Sequence, residues 1–288
     1  MIKLGLITDL HYAPEATEDN NDWSQDGSPV EYRRYSTAET RLSQAVSTFN
    51  SESVDIVAQL GDAVDSSGGR TELQAFITDA GDLTMDLLNV TGNHEISAID
   101  TVADYYTDIS GKQATMANVA TDVNGWKSYT YDVDDTRFVV IHVPSVGVGG
   151  GAVNSTHTDW LNTQLNATDM PVVILSHGPL FEISDYSWSY PSNHETVRGI
   201  IDTYKNVQVC LSGHWHFNHK NAIYNDIWYR SFWGSILAPS PSDNAYYIIE
   251  IEPSTVWTPN GYKANVSITG YGSKGLSGTK PSDSFAIC

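Results

Sequence analysis

The sequence predicts an α/β fold: two packed mixed β-sheets with flanking helices, a four-layer α/β/β/α sandwich. Three observations carry this. Short apolar, β-branched runs alternate with helical patterns through the first half of the 288-residue chain, which calls for parallel strand pairing. The second half is richer in strand-like runs, which calls for mixed or antiparallel pairing. No linker divides the two halves, so they share one domain over residues 1–272, with a Gly-, Ser-, Lys- and Pro-bearing C-terminal tail at 273–288.

In chain order, the strands are expected at 2–8, 54–60, 86–91, 128–133, 137–143, 171–176 and 206–212, then at 221–225, 227–233, 245–252 and 264–271. The opening run from Ile2 to Thr8 has the length and composition of a core strand. Helices are expected at 36–52, 70–80, 97–107, 156–166 and 193–205. In the first, Leu42, Ala45, Val46 and Phe49 recur at helical spacing. In the fourth, Trp160, Leu161 and Leu165 do so, with Thr158-Asp159 as its start. Residues 12–35, 144–155 and 180–192 read as loops: the first polar, acidic and aromatic, the second rich in glycine, the third aromatic.

The charge balance narrows the partners. Thirty-five acidic residues against 15 basic give a net charge of −20. A surface this anionic repels nucleic acid and acidic membranes, so neither is expected as a partner. Abundant Asp and Thr favour a protein of high-salt surroundings, where screening removes the self-repulsion, over an ordinary acidic enzyme. Cys210 sits in the apolar run 207–211 and reads as a small buried hydrophobe, and Cys288 is the last residue, so no disulfide framework is expected. No basic stretch leads into a long apolar one at the start, so no signal peptide is expected and a cytoplasmic location is the default. No segment approaches the length of a membrane span.

Five polar clusters stand at the ends of expected strands: Asp9-Leu10-His11, Gly61-Asp62-Ala63-Val64-Asp65, Gly92-Asn93-His94-Glu95, Ser176-His177-Gly178-Pro179 and Gly213-His214-Trp215-His216. Side chains at strand ends can converge on one point. Asp9 and His11 stand two apart, as do His214 and His216, so each pair projects to one side. Together the clusters supply nitrogen and oxygen ligands for two metal ions and no thiolate, which suits Mn, Fe, Zn, Co or Ni. A lone His after a strand is more often a hydrogen-bonded structural group; the joint pattern reverses that reading. His142, His157, His194 and His219 fall outside the clusters and read as structural or surface groups, with His219 a candidate substrate contact because it lies three residues past His216.

In order, ligand type and preceding strands, these clusters resemble the calcineurin-like metallophosphoesterases. The resemblance implies a first metal on Asp9, His11, Asp62 and His216 and a second on Asp62, Asn93, His177 and His214, with Asp62 bridging. It implies that His94 binds no metal but stands over the scissile phosphate and stabilises or protonates the leaving oxygen. Asp65 and Glu95 would stand behind the ligands, holding His11 or His94 in the required tautomer. The implied chemistry is in-line attack by a water or hydroxide bridging the two metals.

Further stretches resemble the manganese-dependent ADP-ribose/CDP-alcohol diphosphatases, which favours manganese and a small nucleotide-like phosphoester substrate. They are Arg34-Tyr35-Ser36 before a helix, Gln59-Leu60-Gly61-Asp62, the Ser-His-Gly-Pro turn, Tyr190-Pro191-Ser192-Asn193, a hairpin around Asn225-Asp226, and residues 238–245. Gly178 and Phe217-Asn218-His219 depart from that group's pattern where a leaving group or base would be read. Tyr12, Trp23, Tyr32, Tyr35, Tyr186, Trp188 and Tyr190 could stack a base or pack their loops. Arg33 and Arg34 could clamp a second phosphate or form surface ion pairs. The competing readings are a cyclic-nucleotide phosphodiesterase, a broad phosphomonoesterase, and a metal-stabilised scaffold without activity.

Overall fold

A computed structural model describes residues 1–13, 34–65, 69–99, 101–143, 151–183, 189–216, 220–225, 227–237, 244–252, 257–258, 261–262, 265–272 and 282–285. β1 (Ile2–Ile7) is central to the first of two mixed sheets. It pairs in parallel with β2 (Ile56–Gln59), which pairs in parallel with β3 (Leu87–Asn89). Between them come α1 (Ala38–Ser51) and α2 (Gly69–Ala80), and after β3 come α3 (Asn93–Ala98) and α4 (Val102–Ile109).

The second sheet begins with the antiparallel run β4 (Ala117–Thr121), β5 (Lys127–Val133) and β6 (Thr136–Val140). After α5 (Ser155–Asn166), β7 (Val172–Ser176) joins β6 in parallel; after α6 (His194–Ile201), β8 (Val207–Ser212) joins β7. β9 (Lys220–Tyr224) and β10 (Ile227–Ser231) form a hairpin whose second strand lies parallel to β8. β11 (Tyr246–Glu252) returns to the first sheet beside β1, antiparallel. β12 (Trp257–Thr258) and β13 (Gly261–Tyr262) pair with each other, and β14 (Asn265–Tyr271) and β15 (Ser282–Phe285) extend the first sheet. The strand orders are β15-β14-β11-β1-β2-β3 and β4-β5-β6-β7-β8-β10-β9.

Period-two patterning places the core. Ile2, Leu4 and Leu6 meet Phe138, Val173, Leu175, Val209 and Leu211 between the two sheets. The outer face of the first sheet (Val57, Leu87, Ile248) packs on Leu42, Phe49, Leu73, Phe76 and Tyr105 of α1, α2 and α4. The outer face of the second (Val139, Ile174, Cys210) packs on Leu161, Leu165, Val197 and Ile201 of α5 and α6. The layers are therefore helix, sheet, sheet, helix. Among the described residues, no helix is long and apolar enough to cross a membrane.

Several elements differ from the sequence expectation. The helix expected at 97–107 is two helices: Ile99 turns extended, and Thr101 starts α4 by accepting from the Asp104 N–H at 3.1 Å. α5 begins at Ser155 rather than at Thr158, because Asn154 Oδ1 caps the His157 N–H at 3.1 Å. β4 was not expected; its Ala-Asn-Val-Ala-Thr run is mostly exposed and lacks the apolar signal of a core strand. Within the expected tail, residues 282–285 pair with β14, and the rest lies outside the described residues. Cys210 is buried and unpaired, and Cys288 also lies outside them.

Candidate dinuclear metal centre

The parallel strands β1, β2, β3, β7 and β8 all deliver their C-terminal ends to one rim, where loops from an α/β sheet converge. Asp9 and His11 follow β1, Asp62 follows β2, Asn93 opens α3 after β3, His177 follows β7, and His214 and His216 follow β8. Their backbones are held in an uncommon conformation. Asp9, His11, Asp62 and His214 all have left-handed φ, between 47° and 67°. L-residues avoid that region, and such strain persists where the surrounding structure over-determines it, commonly at functional sites.

Two groups of ligand atoms result. Asp9, His11, Asp62 and His216 form one, with all ligand atoms within 4.8 Å of one another. In it, His216 Nε2 lies 3.1 Å from Asp9 Oδ1 and 3.3 Å from His11 Nε2. Asp62, His177 and His214 form the other. Here His177 Nε2 lies 3.2 Å from Asp62 Oδ2, 3.2 Å from His214 Nδ1 and 3.1 Å from Asn93 Oδ1. Asp62 belongs to both: its Oδ2 is also 3.9 Å from His11 Nε2, and its Oδ1 accepts the His94 N–H at 2.8 Å. Asn93, His94 and His214 are half-buried and border the open side; Asp9, His11, Asp62, His177 and His216 are buried.

The residues behind the ligands set orientation. The His177 Nδ1–H donates to the Leu60 carbonyl at 2.8 Å, which leaves Nε2 facing Asp62 as the atom that would take a metal. Asp65 Oδ1 lies 3.1 Å from His11 Nδ1 and 3.1 Å from His94 Nδ1, and it accepts the Tyr35 hydroxyl at 3.4 Å. Glu95 has a different task from the imidazole-orienting one expected of it. Its carboxylate accepts four backbone N–H groups: Asp62 (3.0 Å) and Gly92 (2.7 Å) on Oε2, Ala63 (2.6 Å) and Val64 (3.2 Å) on Oε1. It therefore clamps the loop that carries Asp62. Two glycines make room for this packing. A Cβ on Gly92 would stand 2.2 Å from Asp62 Oδ1, and one on Gly61, at φ +94°, would stand 2.4 Å from His177 Nδ1.

The charges fit a cation site. Burial alone would raise the Asp9 and Asp62 carboxylates, but His216 beside Asp9 and His177 beside Asp62 hold both below the usual range. Burial and the Asp62 charge push Glu95 up to about 7 against the pull of its N–H donors. Burial would lower His177, but Asp62 and Asp9 hold it at about 9, while burial and the neighbouring His177 push His214 down to about 3. Without cations, a proton on His177 takes up part of the charge that the carboxylates demand. The donor set is nitrogen and oxygen throughout, with ring lone pairs turned inward, and this fits two divalent transition metals.

Sequence reasoning missed two supports. The Thr8 hydroxyl donates to Asp9 Oδ2 at 2.6 Å. The buried Arg41 guanidinium donates to the carbonyls of Leu10, Arg34 and Ser235, tying the Asp9–His11 loop to two others. Arg41 left a trace, since it lies on the inward stripe of α1 with Ala38, Leu42, Ala45, Val46 and Phe49.

The candidate substrate contacts are not gathered in the same way. The Arg34 main chain is fixed by bonds to Ile236 and Arg41. Tyr190 packs on the His194 ring at 4.7 Å and against the apolar cluster under α5 and α6. Arg33 and His219 lie outside the described residues, as do Trp23, Tyr32, Tyr186 and Trp188. Trp215 is buried in packing.

The profile of the calcineurin-like phosphoesterases matches residues 2–218, three quarters of the chain and all five clusters. The chain belongs to the calcineurin-like phosphoesterases. It is thus a metal-dependent phosphoesterase by family, and a dinuclear metal site is expected of it. A manganese-dependent ADP-ribose/CDP-alcohol diphosphatase from Danio rerio is 23% identical over 265 residues, covering 74% of this chain and 80% of that protein. The crystal structure of a dimetal phosphatase from Danio rerio superposes with a TM-score of 0.78 at 18% identity, covering 99% of both chains. A purple acid phosphatase from yellow lupin (TM-score 0.63, 14% identity, 98% of this chain and 53% of the other) shares the fold. So does the GAP50 anchor of the Plasmodium inner membrane complex (TM-score 0.63, 13% identity, 99% and 89%).

Proposed function

We propose that this phosphoesterase hydrolyses a nucleotide-derived diphosphate or a phosphodiester, with Asp9, His11, Asp62 and His216 holding one metal and Asp62, Asn93, His177 and His214 the other. The observation that carries the reading is the Asp62 carboxylate lying within reach of both imidazole groups. Manganese is the favoured metal, on the likeness to the Danio diphosphatase. Two bound cations would neutralise the phosphate oxygens and lower the pKa of a water between them.

The remaining work falls to the chain's own groups. His94 is the more exposed of the two imidazoles that face Asp65, its side chain 14% exposed, so its ring can reach a bound phosphoester. Asp65 accepts from Nδ1 and stabilises the imidazolium, so His94 can give a proton to the leaving oxygen. Glu95 and Arg41 fix the ligand loops so that the site needs little rearrangement when substrate arrives. The nucleotide-like substrate rests on the likeness to the Danio diphosphatase and on the Arg34-Tyr35 segment, which Tyr35 joins to Asp65.

Turnover of bis(p-nitrophenyl) phosphate with Mn²⁺ tests the mechanism. A His94→Ala protein should keep its metal content and lose roughly 10²-fold or more in kcat. Undiminished turnover would remove His94 from the chemistry, and no turnover by the fully metallated wild type would return the scaffold reading. Comparing ADP-ribose, CDP-choline, cyclic AMP and p-nitrophenyl phosphate separates a diphosphatase from a cyclic-nucleotide phosphodiesterase or a broad phosphomonoesterase.

A further inference from the structure

A second group of metal-ligand side chains lies apart from the rim clusters. Asp122 follows β4, His142 lies just past β6, and His157 stands in the first turn of α5. All three are buried, and one ligand atom from each lies within 4.8 Å of the others. His157 Nε2 stands 3.7 Å from Asp122 Oδ2, too far for a hydrogen bond. Ligands about 2.1 Å from a tetrahedral zinc stand roughly 3.4 Å apart, close to that spacing.

The rings carry the case. Both nitrogens of His142 and the Nε2 of His157 are buried without a hydrogen-bond partner among the described residues. Buried polar groups are normally satisfied, and one ion between the rings would take one nitrogen from each. Burial, and the neighbouring His157, push the His142 imidazole down to about 3, so it is neutral and keeps a lone pair. The surroundings hold the set in place. Asp122 Oδ1 accepts the N–H groups of Asn124 (2.9 Å) and Trp126 (3.0 Å), and Asn154 Nδ2 donates to Oδ2 at 3.1 Å. The Ser128 hydroxyl lies 2.9 Å from His157 Nδ1, which directs Nε2 toward the carboxylate. The Trp126 indole stacks on the His142 ring at 5.6 Å and 15°.

We propose that Asp122, His142 and His157 bind a structural divalent first-row metal ion, zinc being the best match to two imidazoles and a carboxylate. The ion would add a link to elements that Asn154 on Asp122 and Trp160 on the Asn118 carbonyl already hold together. β4 is an exposed, polar edge strand, and the metal would fasten its end to β6 and to the N-terminus of α5. All three ligands are buried, so the ion would be shielded from substrate and its role is structural, with a trapped water as the fourth ligand.

Zinc-loaded full-length protein tests this by anomalous difference maps at the zinc edge, with the rim site as internal control. A peak between Asp122, His142 and His157 is expected. In solution, metal per chain should be about three ions in the wild type and fall by one in His142→Leu. Peaks at the rim with none at this cluster would overturn the proposal, as would equal metal content in wild type and a folded His142→Leu protein. Should His142→Leu not fold, the wild-type map still decides. Because the count is of bound metal, it does not depend on which phosphoester the rim site cleaves.

Discussion

Gly92 is the sharpest probe of how the Asp62 carboxylate is held. Its backbone is extended, at φ −98° and ψ −178°, so alanine meets no conformational penalty there and any effect is steric. An added Cβ would stand 2.2 Å from Asp62 Oδ1, 2.4 Å from the Asp62 nitrogen and 2.9 Å from Asp62 Cγ. Real Cβ contacts essentially never fall below 3.0 Å, so Asp62 or the Gly92 loop must move by at least about 0.8 Å. The loop cannot yield freely, since Glu95 binds the N–H groups of both Gly92 and Asp62. Overpacking of this kind costs about 1–3 kcal/mol of stability. A displacement near 1 Å at a reacting centre costs on the order of 10²-fold in rate. Gly92→Ala should therefore lower kcat on bis(p-nitrophenyl) phosphate by about 10²-fold, weaken Mn²⁺ binding, and leave the protein folded by circular dichroism. Wild-type turnover and metal affinity in the variant would refute the claim that Asp62 is fixed by this contact.

Further outcomes follow from the same geometry. Glu95→Gln replaces a four-fold acceptor with one carbonyl and an amide, orphaning two of its four N–H donors at about 1–3 kcal/mol each; the metal-free protein should melt at a clearly lower temperature, and an unchanged melt would show the clamp to be dispensable. His177 is held at about 9 in the metal-free site, above its unfolded value near 6.5. Its contribution to metal-free stability is therefore complete below about pH 6.5 and lost as pH rises through about 9. Because metal binding must expel that proton, Mn²⁺ affinity should rise about tenfold per pH unit up to about 9, then level off; calorimetry showing a flat affinity between pH 7 and 9 would contradict this. The net charge of −20 predicts that adding KCl raises the melting temperature, since about 1 M salt cuts the screening length to about 3 Å; no shift would argue against a high-salt origin.

What the sequence made legible was local, and what it hid was not. Asp9, His11, Asp62, Asn93, His177, His214 and His216 could be picked out because each sits just past an apolar run, and strand ends in one sheet meet at one rim. The left-handed φ of Asp9, His11, Asp62 and His214 had only a weak signal, because Asp and His are enriched in that conformation but adopt it in a small minority of cases. It exists here because bonds from elsewhere impose it: Arg41 from α1 on the Leu10 carbonyl, Glu95 on the Asp62 loop, the Asp9 carboxylate on the His214 N–H. The same cause explains the error over Glu95. The family resemblance implies a partner for a nearby imidazole, but its four donors come together only once β2 and β3 lie side by side. It also explains the early start of the third helix, since a Glu95 committed to the Gly92 N–H starts α3 at Asn93, four residues before the expected position. His142 and His157 are the converse case. Each alone reads as an ordinary buried histidine, and their meaning depends on an Asp122 that a polar edge strand, silent in the hydrophobic pattern, brings beside them. The candidate ligands are thus written in short motifs, while the strain and support around them are written in pairs of residues as far as 205 positions apart.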